Sequence, residues 1–204
     1  MGVLENYKGT LCHDHWKPYL QLRRCRNSLC NAHHLRELER TLEQDGQKWA
    51  KAMQELLLEA NKATAAAGGC LRKQAVETFT GRYRKMLTKG DLECAAPAAK
   101  TGDDKPGRVA RSKSRNLLER LRTFEAETLR FMADPLVPFT NNESENDIRM
   151  TKVQQKISGC FRSFEGAHIF CRVRSYLSIC REPSVTATEA LKTLFAGDLP
   201  DFIV

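Results

Sequence analysis

The sequence predicts a mainly helical chain with a small strand-bearing N-terminus, and three observations carry that reading. Apolar residues recur at helical spacing in segment after segment from His33 onward. Residues 3–12 are the only early stretch with strand character. Glycines and prolines cluster between the periodic segments, where they end helices.

The elements follow in order. The early strand closes on Gly9-Thr10-Leu11-Cys12, just before the polar cluster His13-Asp14-His15. A helical pattern then carries Leu35, Leu38 and Leu42, resumes after Gly46 with Trp49, Met53, Leu56 and Ala60, and breaks at Gly68-Gly69. A second helix over about 71–88 places Ala75, Phe79, Tyr83 and Met86 on one face. Residues 89–111 hold Gly90, Pro97, Gly102, Pro106 and Gly107 among charges and read as a flexible loop. The next helix stripes Leu117, Leu121, Phe124 and Met132 along one side until Asp134-Pro135 stops it. Asn142 then precedes a helical segment with Glu145 three residues on, the spacing of a capping box. Ser158 to Gly166 suggests a turn or short hairpin, and a helix over about 167–181 ends at Pro183. Thr186 and Glu189 cap a last short helix with Leu191, Leu194 and Phe195.

A length of 204 residues suits one domain, or one with a small extension. Lys and Arg total 33 against 25 Asp and Glu, so the net charge of +8 favours polyanionic partners. No apolar run approaches the roughly 20 residues that span a bilayer, and the N-terminus lacks a signal pattern. The expected setting is therefore intracellular, with no membrane partner. The eight cysteines lack the regular spacing of a disulfide scaffold and are expected as reduced thiols, several filling the core.

Two short segments carry the chemistry. In a helix from Asn142 to Lys156, Arg149, Lys152 and Lys156 each lie within about 40° of Glu145 around the axis. One face thus offers a carboxylate followed by three cations, which suits a divalent metal beside a phosphodiester backbone. Met150, Val153 and Ile157 fall on another face that can pack on the core. The bland alternative is a capping Glu with ordinary helical ion pairs. The second segment is Leu11-Cys12-His13-Asp14-His15-Trp16, where Asp14 follows a strand and can project from its C-terminal end. It could equally be a solvated Asp that opens a turn.

The strings CHDHWKPYL, CNAHHLRELE, NLLERLRTFEAETLRF and PFTNNESENDIRMTKVQQKISGCFRSFEGA join these segments. In that order they resemble the insertion-sequence sixty-six family of bacterial transposases, through nearly the whole chain and most weakly at 89–111. The resemblance implies the C-terminal portion of a ribonuclease-H-like α/β domain with a large helical insertion and with the early sheet strands missing. It implies a DDE carboxylate triad, whose second Asp matches Asp14 and whose Glu matches Glu145; both are then catalytic metal ligands. It also implies that Arg149 and Lys152, joined on the same stripe by Lys156, contact DNA. Residues 1–32 would be a residual strand segment of the catalytic core, 33–133 the helical insertion, and 134–204 the C-terminal core helices. The cofactor would be Mg²⁺ or Mn²⁺, which hard oxygen ligands favour. The partners would be DNA (transposon ends and target) and other transposase subunits, in a bacterial cytoplasm at the nucleoid.

The departure from the family concerns its first Asp. Glu5 is the only acid ahead of Asp14 and sits in the stretch that leads into it. The expectation is therefore a truncated transposase with an incomplete two-metal site, inactive alone. A non-catalytic basic module that binds DNA or a transposase partner is the competing reading. Two smaller candidates remain. Cys25, Cys30, His33 and His34 have one pair of zinc-ligand spacing, with Cys12, His13 and His15 nearby in sequence. Arg108, Arg111, Lys113, Arg115, Arg120 and Arg122 could track a DNA backbone or could be solvated surface.

Overall fold

The computed structural model describes residues 6–94, 111–181 and 183–203. It is mainly helical and divides into two compact units, residues 1–141 and 142–204.

The first unit opens with two short strands, β1 (Thr10–His13) and β2 (Arg26–Leu29), which pair in parallel from Thr10 opposite Arg26 to His13 opposite Leu29. Residues 3–5 of the expected strand lie outside the described residues; from residue 6 on, the strand covers only Thr10–His13 and ends one residue later than expected, in a ladder to which its partner supplies four residues. Strand β2 is not legible in the sequence: Arg26-Asn27-Ser28-Leu29 is too short and too polar to signal a strand. Parallel strands need a crossover, here residues 14–25 with a 3₁₀ turn over Lys17–Gln21.

Five helices follow, α1 (Asn31–Asp45), α2 (Lys48–Ala66), α3 (Lys73–Glu93), α4 (Lys113–Thr123) and α5 (Glu125–Leu129). Gly46 ends α1 in the left-handed conformation (φ 65°), its N–H donating to the Leu42 carbonyl while the Gln47 N–H donates to the Thr41 carbonyl. Leu38, Trp49, Met53, Leu57, Tyr83 and Leu118 fill one core at 1% exposure or less. Helix α3 runs past the expected loop boundary because Gly90 faces that core. A Cβ there would lie 2.6 Å from Leu118 Cδ1 and 3.1 Å from Trp49 Cδ2, so the absent side chain lets the helices close. Residues 95–110, the rest of that expected loop, lie outside the described residues. The long stripe from Leu117 to Met132 is broken. Phe124 leaves helical geometry (φ −112°, ψ 36°), and α5 passes into a 3₁₀ turn over Arg130–Met132. Asn31 ties β2 and α1 to this corner, since its amide donates to the Thr128 carbonyl at 3.0 Å.

The second unit holds α6 (Asn142–Ser158), α7 (Phe164–Arg181) and α8 (Ala187–Phe195). The turn or short hairpin expected from Ser158 to Gly166 takes the form of a set of bends, with α7 starting at Phe164. Asn142 is the first residue of α6, so it does not precede the helix as a cap. The capping box does form at Thr186 and Glu189. No described residue of α6 is buried. The expected apolar face is open, with Met150 40% and Ile157 79% exposed. The reason is that α6 is tied to α7 through Asp147, which accepts from Ser178, with Ile148 and Thr151 lining the groove between the helices, on a different side. Among the described residues no helix is long and apolar enough to cross a membrane. The eight cysteines are free thiols, and Cys25, Cys30, Cys94 and Cys180 are buried.

Candidate functional site

Asp14 opens the crossover at the C-terminal end of β1 and is exposed. Its Oδ1 accepts the Trp16 backbone N–H at 3.2 Å, the turn that an Asp side chain makes with its own backbone two residues on. This fixes the carboxylate while leaving the other oxygen outside that turn. His15 sits between them at φ 69°, in the left-handed region that side-chain-bearing residues rarely enter. Its ring packs edge-on against Phe124 at 4.6 Å, the residue at the break between α4 and α5.

Behind Asp14 lies a group of histidines that burial keeps neutral. His13 is buried, and its Nδ1 accepts the His15 backbone N–H at 3.1 Å. Burial lowers the pKa values of both His13 and His15, and nearby Arg120 adds to the effect on His15. His34 is pushed down to about 3, by burial first and then by Arg120. Asn31 uses its amide N–H on Thr128, so its Oδ1 must accept from His34 Nδ1, 3.2 Å away. The sequence reading missed this pair, although Asn31 stands visibly inside Cys30-Asn31-Ala32-His33.

The lowered pKa values set a pH dependence. The unfolded chain binds protons below its ordinary histidine value near 6.5, and the folded chain resists until about 3 at His34. The stability present above pH 6.5 is therefore lost as the pH falls through that window, by up to about 1.4 kcal/mol per pH unit for His34. Urea unfolding between pH 7.5 and 5 should show this slope, reduced in His34→Gln. A flat profile would remove His34 from the buried core.

The zinc reading does not gain support from the geometry. Burial, reinforced by Cys30, pushes the Cys12 thiol up to about 12, and a neutral thiol is a poor metal ligand. Among the described residues no three His, Cys, Asp or Glu side chains form a metal-holding group. Most of the basic stretch is also committed elsewhere. Arg115 is buried and bonds Asp91 and the Cys94 carbonyl, Arg120 pairs with Glu37, and Arg122 with Asp91. Those arginines brace helices; Arg108 lies outside the described residues.

In the second unit, α6 carries Glu145, Arg149, Lys152 and Lys156 on one helix. The three cations are exposed and Glu145 is half-buried. Asp147 points elsewhere: its Oδ1 accepts from Ser178 Oγ of α7 at 2.5 Å, about 160° around the helix from Glu145. It is an interhelical tie rather than a second acid beside Glu145.

A family model described as Transposase IS66 family matches residues 1–169. The chain belongs to this family. The IS66 match spans Asp14, Glu145 and the cations of α6, so every residue assigned by resemblance lies within it. No curated protein and no solved structure matches the chain. For an IS66 transposase a divalent cation is the expected cofactor, and the chemistry of Asp14 and Glu145, hard oxygen donors, suits Mg²⁺ or Mn²⁺. Among the described residues, neither carboxylate belongs to a group of three His, Cys, Asp or Glu side chains.

Proposed function

We propose that this IS66 family chain acts in DNA transposition as part of a DDE transposase catalytic core, with a ribonuclease-H-like ancestry to which β1 and β2 belong. Residues 1–32 and 134–204 are the core portions in this reading, and 33–133 the helical insertion. Asp14 and Glu145 are two of the metal-binding carboxylates. A bound pair of divalent cations would supply charge stabilisation for strand cleavage and transfer. The chain's own contribution is to fix the Asp14 carboxylate through the Trp16 N–H, and to present Arg149, Lys152 and Lys156 to the DNA backbone. The carrying observation is the IS66 match across both carboxylate segments. That no three metal-ligating side chains gather among the described residues supports a second reading, a non-catalytic module that binds DNA or other transposase subunits.

DNA binding tests the proposal. Each neutralised phosphate releases a counterion, so log affinity should fall linearly with log salt by about 0.9 per contact on duplex DNA. Lys152→Ala combined with Lys156→Ala should flatten that slope by up to roughly two contacts. Helical content should hold, because both side chains are exposed. Parental affinity and slope in the double variant would make this face ordinary solvated surface.

A further inference from the structure

The chain has two tryptophans, and their settings are opposite: Trp49 is 1% exposed in the core, whereas Trp16 is 59% exposed. An open indole forfeits the large apolar burial that tryptophan usually contributes. Trp16 is nevertheless held in place. Its ring meets Tyr19 edge-on at 5.2 Å, and Tyr19 in turn rests 5.2 Å from the buried His13 ring. Its backbone N–H is bound to the Asp14 carboxylate, and Pro18 follows in the 3₁₀ turn over Lys17–Gln21. The indole is therefore the open end of an aromatic column rooted in the first unit, two residues from Asp14.

The surroundings say what would cover it. Between Asp14 and Arg26 the crossover carries four cations, Lys17, Arg23, Arg24 and Arg26, against one acid. Arg24 bonds Asn6 and Arg26 pairs with Asp134, while Lys17 and Arg23 are exposed with no ion pair among the described residues. An apolar protein partner would meet a charged rim here. A nucleic-acid strand offers what both features need, a flat base for the indole and phosphates for the cations.

We propose that Trp16 is a stacking platform for an unpaired nucleobase in the DNA strand whose backbone lies at Asp14, with Lys17 and Arg23 meeting the flanking phosphates. This rests on the transposition reading and adds a positioning residue to it. The platform selects for locally unpaired DNA and is indifferent to base identity, because every base has a stacking face.

The test uses the full chain, with fluorescein-labelled DNA followed by anisotropy and tryptophan emission followed in parallel. A duplex with a single-stranded overhang is compared with a blunt duplex of the same sequence. Because Trp49 is buried, DNA-dependent quenching reports Trp16. The overhang should quench emission and the blunt duplex should not. Trp16→Ala should weaken overhang binding by about 5- to 100-fold, with Trp16→Phe retaining most of it and blunt-duplex affinity unchanged. Circular dichroism confirms that the variants fold. Binding of both DNAs without quenching, or an equal loss on both in Trp16→Ala, would overturn the platform while leaving DNA binding intact. Binding of neither DNA would overturn the platform and the transposition reading together.

Discussion

Replacing Trp49 by Ala is expected to destabilise the first unit by about 3–5 kcal/mol. Trp49 is buried against Gly90 of α3, within a core that also takes Leu118 from α4. Its indole N–H donates to Gln47 at 2.6 Å and its backbone N–H to Glu93 at 3.2 Å, so the ring joins the start of α2 to the end of α3. Truncation would leave a cavity bounded by helices that other contacts hold apart, including the Tyr83 hydroxyl on the Leu121 carbonyl at 2.9 Å. Collapse into the space is thereby limited, which places the cost at the upper end for core truncations. Urea unfolding followed by circular dichroism measures it. A loss below about 1 kcal/mol would mean that α2, α3 and α4 do not share one core.

The 204-residue chain, supplied with Mg²⁺ or Mn²⁺ and DNA carrying nicked or single-stranded ends, is expected to yield no cleaved or joined product. By resemblance, two carboxylates match the family's metal ligands, and Asp147, on the far side of α6 from Glu145, is bound to Ser178. In the proposed reading, a two-metal site short of one ligand would forfeit charge and geometry together, several kcal/mol of transition-state stabilisation, or more than about 10²-fold in rate. DNA binding should persist in the same samples, since it rests on exposed cations. Metal-dependent cleavage that disappears in Glu145→Gln would show that another group completes the site.

The sequence by itself determined the family, the helical character and the positions of Asp14 and Glu145. Those features are local: a 3.6-residue apolar repeat and a long, specific string from Pro138 to Ala167 need no knowledge of the fold. It also located the capping box at Thr186, whose two hydrogen bonds span three residues. Tertiary structure decided the rest. Strand β2 exists because β1 offers it a ladder, not because Arg26–Leu29 favours extension. At the break, Phe124 packs against the His15 ring, more than a hundred residues earlier in the chain. Arg115, Arg120 and Arg122 read as a basic tract, yet acids and a carbonyl brought near by folding bury Arg115 and pair Arg120 and Arg122 as braces between helices. Met150 and Ile157 are correctly spaced for burial, but which face of α6 is covered depends on where α7 packs. Periodicity states which residues share a face; only packing decides which face is used, and whether a charge meets solvent or a partner.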